Sequence, residues 1–92
     1  MSKERQLSIK IPDRVLGGVY ANQMMVTHTR EEFVLDFINL FPPSGVVNAR
    51  VIVSPGHLKR MIRALSDNLS RYEARFGQVI EAEAPQPGEF NN

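Results

Sequence analysis

The chain predicts an α+β domain: an antiparallel sheet of three to four strands followed by one long C-terminal amphipathic helix. Three observations carry this. Short β-branched runs fill the first half, one of them in strict polar–apolar alternation. One apolar stripe at helical spacing occupies the second half, framed by start and stop signals. Glycine, proline and serine punctuate the segments between them, as at Gly17, Gly18, Pro42, Pro43, Ser44 and Gly45.

The elements follow in chain order. Leu7, Ile9 and Ile11 alternate with Gln6, Ser8 and Lys10 until Pro12 stops the run, which reads as a half-buried strand. Residues 19–27 are rich in strand formers, and Gly17 and Gly18 ahead of them oppose a helix. Residues 32–41 fit two templates. As a strand, Phe33, Leu35, Phe37 and Phe41 share a face, broken by Asn39, with Asp36 opposite. As a helix, Thr29 and Glu32 make a capping box, and Phe33, Phe37, Leu40 and Phe41 fall on one side. The strand is favoured, because residues 24–29 and 33–40 then pair as a hairpin around Arg30 and Glu31. Residues 46–53 form a further strand, with Val47, Ala49, Val51 and Val53 on one face and Arg50 on the other. The helix spans residues 55–76. Ser54 caps its first turn, Pro55 sits where its missing N–H costs nothing, and Gly77 ends it. Leu58, Ile62, Leu65, Leu69, Tyr72 and Phe76 make its stripe, widened by Met61. Residues 81–92 carry three acids, two prolines and no base, the composition of a disordered acidic tail, so the folded domain is expected over residues 1–80.

Composition narrows the function. A chain with 42% hydrophobic and 23% charged residues is ordinary for a soluble globular protein, and a net charge of +1 disfavours a strongly basic nucleic-acid binder. No run approaches the roughly eighteen apolar residues of a membrane span, and the first residues lack the apolar core of a secretory leader. Without cysteine there is no disulfide, thiol nucleophile or cysteine-rich zinc site, and a reducing cytoplasm is the expected setting. His28 and His57 lie in separate elements, the first at a strand end and the second in the first helical turn. Glu31, Glu32 and Asp36 read as solvated charges, and Gly17 and Gly18 lack the lysine and spacing of a phosphate loop. No catalytic residue, cofactor or metal ligand is assigned, and a non-catalytic binding module is expected.

Two surfaces remain. Lys59, Arg60, Arg63, Arg71 and Arg75 fall opposite the apolar stripe, with Asp67 among them at helical spacing from Arg63 and Arg71. This face is a candidate docking surface for an acidic partner or for Glu81, Glu83 and Glu89 of the tail. With Asp67 and Glu73 counted, residues 54–77 carry +3, and the three tail glutamates give −3. The second surface follows from core size. If one helix packs across one face of the sheet, Val34, Ile38, Leu40 and Ile52, with Met24 or Met25, are stranded on the other. Burying them between subunits predicts a homodimer or higher oligomer.

Gly18, Val19, Tyr20, Ala21 and Asn22 lead into Thr27, His28 and Thr29, and then into Glu32 through Phe37. Later come Arg50 and Val51, Ser54 and Pro55 with Lys59 and Arg60, then Asn68, Tyr72, Glu73, Phe76 and Gly77. Together these resemble a bacterial family known as domain of unknown function 3467, over residues 7–80. The resemblance implies no established activity or catalytic residue, and the segment after Pro43 departs from it in being short. The strands-then-helix order is similar, as architecture only, to SecB-like export chaperones. A different reading rests on Leu7 to Pro12, which looks like the N-terminal strand of ribbon-helix-helix DNA-binding regulators, with Gln6, Ser8 and Lys10 facing the major groove. Residues 29–33 then resemble the start of that family's second helix. Against it, Gly17 and Gly18 would interrupt the first helix at about 1 kcal/mol each.

Overall fold

The structure, a computed structural model, describes residues 6–83. A one-turn helix α1 (Asp13–Leu16) precedes three strands, β1 (Gln23–His28), β2 (Phe33–Phe41) and β3 (Ser44–Val53), and helix α2 (Pro55–Phe76) follows. The strands form one antiparallel meander in the order β1-β2-β3.

Residues 32–41, which satisfied two templates, are a strand. Thr29 shows why the helical signal lost. Its Oγ1 accepts from the N–H groups of Glu31 and Glu32 (3.2 and 3.3 Å), as a cap would, while its own N–H donates to the Glu32 carbonyl at 2.9 Å. The same local bonds close a β-hairpin here, and cross-strand pairing of β2 on both sides decides between them. The second hairpin turns at Pro42 and Pro43, whose peptide bond is cis. A ribbon-helix-helix fold is thereby overturned, since the segment it needs as a second helix is the central strand.

Register sorts the side chains. Leu35 lies between Val26 and Val51, while Ile38, on the opposite face, lies between Gln23 and Val47. Among the described residues these are the two buried apolar side chains, each 4% exposed. The β2–β3 register shifts between Phe37 and Ile38, so that Asn48 is extra. That bulge corrects one expectation: Val47 leaves the face of Ala49, Val51 and Val53 and joins Ile38. Beyond it, Gly45 faces Leu40 closely enough that a Cβ there would stand 2.8 Å from Leu40 Cδ1. Asn22, just ahead of β1, continues its pairing with β2, its N–H donating to the Ile38 carbonyl at 2.9 Å. Its side-chain amide donates to the Leu40 carbonyl (3.0 Å) and accepts from the Leu40 N–H (2.8 Å), imitating a backbone pair.

The half-buried N-terminal strand is not formed. Leu7, Ile9 and Ile11 are 84%, 91% and 57% exposed, and the first strand begins at Gln23. Alternation marks a segment able to be a strand, but a strand is stabilised by its neighbour, and this one has none among the described residues. The unexpected α1 begins after Pro12, with Asp13 in its first turn and Val15 N–H donating to the Pro12 carbonyl.

Helix α2 starts and ends where its sequence signals lie. Ser54 Oγ accepts from the His57 N–H at 3.1 Å, Pro55 opens the first turn, and Gly77 closes the last at φ 101° with its N–H on the Glu73 carbonyl. The α+β order of sheet then helix is as expected, but the helix is not packed across the sheet, which corrects the expected packing. Extensive contact joins only β1 with β2 and β2 with β3, and no residue of α2 is buried. The described residues accordingly span 59 × 35 × 33 Å, with a radius of gyration of 17.0 Å. A compact domain of this length would have about 12 Å.

Candidate functional site

The apolar face of α2 is the largest feature left uncovered. Ile62, Leu65, Leu69, Tyr72 and Phe76 are 49–67% exposed along one side of the helix, and of its large apolar residues only Leu58 and Met61 are half-buried. Tyr72 and Phe76 stack on each other with ring centroids 4.9 Å apart. Monomeric proteins rarely expose a contiguous apolar stripe of this kind.

All five basic residues are exposed, with Arg60, Arg63 and Arg71 on the opposite side of the helix and Lys59 and Arg75 at the edges of the stripe. Arg60 Nη2 lies 2.7 Å from His57 Nδ1, and the Arg75 guanidinium sits 5.3 Å from the Phe76 ring centroid. Lys59 and Arg63 border a shallow groove with Ile62, Ser66 and Asp67. Asp67 makes no ion pair with Arg63 or Arg71, since Asp36–Arg50 is the one salt bridge among the described residues. Glu81 and Glu83 are likewise unpaired with this face. Glu89, and most of the expected disordered tail, lie outside the described residues.

The proposed sheet interface is only partly available. Ile38 is already core, Val34 and Leu40 are half-buried, and Ile52 is 54% exposed. Met24 belongs to the other face. That face is the more apolar of the two, with Met24, Val26, Phe41, Val46 and Val51 exposed around buried Leu35. Asn39, the break in its row, holds a buried Oδ1 without a hydrogen-bond partner among the described residues.

What sequence reading missed is the pairing of Asp36 with Arg50. Each was placed on a face separately, and only the register sets them side by side. Arg50 Nε and Nη2 donate to the two carboxylate oxygens of Asp36 at 2.7 and 2.9 Å. These hydrogen bonds hold the Asp36 carboxyl below its ordinary value, against burial that raises it, and the charge of Arg50 adds to the lowering. A depressed folded-state pKa contributes stability above the unfolded carboxylate value of about 3.9, lost as pH falls through the folded value. The melting temperature should therefore fall below about pH 4, and by more in the native chain than in Asp36→Asn. Equal slopes would show that other carboxylates carry the acid sensitivity.

His28 packs its ring on Phe33 with centroids 5.0 Å apart at the strand end, and His57 sits in the first helical turn, both as expected. Among the described residues no three His, Asp or Glu side chains could hold a metal ion, and no helix is long and apolar enough to cross a membrane.

A family model described as "Protein of unknown function (DUF3467)" matches residues 1–81. No curated protein and no solved structure matches the chain.

Proposed function

This chain belongs to the DUF3467 family of proteins of unknown function, and on that premise we propose that it is a non-catalytic binding or adaptor module that works as a homodimer or higher oligomer. The uncovered apolar face of α2 is the observation that supports it. A 22-residue helix gains little stability alone in water, and its apolar face normally supplies the rest by packing. The sheet does not provide that packing, so a second copy is the simplest source, in closed twofold symmetry. The assembly surface thus moves from the sheet residues to the helix.

A finer role as a SecB-like chaperone or scaffold draws on element order and on the open sheet face around Leu35, which would present apolar side chains to a protein partner. A cytoplasmic setting belongs to the same reading, from a chain without cysteine. Equilibrium sedimentation at micromolar concentration tests the assembly. A mass at least twice 10.4 kDa is expected, and a monomer at that mass would end the proposal.

A further inference from the structure

We infer, on the basis of the self-association proposed above, that α2 pairs antiparallel with α2 of a second copy, about a twofold axis level with Asp67. Leu58, Ile62, Leu65, Leu69, Tyr72 and Phe76 are spaced alternately by four and three residues, the seam of a coiled coil. Leu58, Leu65 and Tyr72 occupy one kind of seam position, and Ile62, Leu69 and Phe76 the other. All six lie on one helix within Pro55–Phe76, and five of them are exposed.

The seam is centred on residue 67, so turning one copy end for end brings the two kinds of position into register. Leu65 then meets Leu69 of the second copy, Ile62 meets Tyr72, and Leu58 meets Phe76. Each large ring is matched with an aliphatic side chain. A parallel pair would instead stack Tyr72 on Tyr72 and Phe76 on Phe76.

Charge favours the same direction. Lys59 and Glu73 flank the seam on one side, and the antiparallel register sets Lys59 of each copy beside Glu73 of the other, twice by symmetry. In a parallel pair the flanking positions match Met61 with Ser66 and Asn68 with Glu73, which brings no opposite charges together. Arg60, Arg63, Arg71 and Asp67 point away from the seam in either case and stay in water. Because α2 starts two residues after Val53, an antiparallel pair also carries the two sheets to opposite ends of a helix about 33 Å long.

The chain has no cysteine, so introduced ones report directly. Ser66→Cys, beside the axis, should be joined to its own copy by a short thiol-to-thiol crosslinker. Phe76→Cys alone should not, since its two copies would stand about 27 Å apart. A mixture of Leu58→Cys and Phe76→Cys, refolded together, should give the mixed species on oxidation. Sedimentation of each variant before crosslinking separates the outcomes. Dimers in which Phe76→Cys joins to itself, or in which Ser66→Cys does not, would overturn the antiparallel helix pair and leave self-association standing. If the native chain sediments as a monomer, both fall.

Discussion

Replacing Leu65 and Leu69 together with aspartate is expected to turn the assembly into a monomer of about 10.4 kDa at concentrations where the native chain is associated. The two leucines are 67% and 49% exposed in the single chain, so the loss falls on association and not on a core already formed. Burying one leucine side chain is worth about 1.5–3 kcal/mol, and a twofold interface loses each contribution twice. With only about half of each side chain left to bury, the association constant should fall by more than about 10²-fold, before the cost of burying carboxylates is counted. Circular dichroism should show the strand signal retained and the helix weakened, because α2 without a partner keeps only its own marginal stability. A double variant that sediments with the native mass would remove the helix face from the interface and return attention to the sheet.

Leu35→Ala is expected to have the largest effect on folding itself. Leu35 is 4% exposed at the centre of the middle strand, between Val26 and Val51. Truncating a buried leucine costs about 2–5 kcal/mol, from lost transfer and from the cavity left behind. A domain of this size has about 5–15 kcal/mol to lose, and each kcal/mol moves its Tm by about 4–8 °C. A fall of roughly 10–30 °C in Tm should follow, with a lower urea midpoint at unchanged slope. Ile9→Ala, at a side chain 91% exposed, should stay within about 0.5 kcal/mol of the native chain. A mild Leu35→Ala would mean that the sheet collapses around the gap, or that its open face is packed by another copy that repairs it.

How far the residues alone reach depends on the range of the interaction that decides each element. Ser54, Pro55 and Gly77 act within one turn of themselves, and α2 begins and ends where they stand. The valine-rich β3 and the stop at Pro42 and Pro43 were legible for the same reason, although the turn expected at Ser44 and Gly45 is part of β3. Thr29 and Glu32 were not decisive, since their bonds suit a helix start and a hairpin equally, and β1 and β3 made the choice. Leu7, Ile9 and Ile11 misled through the same gap between local pattern and partner: alternation supplies a face but not a neighbour for it.

The composition, the helix with its caps and apolar stripe, and the strand–turn–strand order were determined by the sequence itself, because each rests on backbone preferences and side-chain spacing over a few residues. The tertiary structure alone decided the register, and with it the bulge at Asn48, the transfer of Val47 to the face of Ile38, and the meeting of Asp36 with Arg50. It also decided that α2 leaves the sheet instead of covering it. A stripe of apolar residues states that a face must be buried. What buries it is settled by packing between distant parts of a chain or between chains, and no spacing along one helix contains that.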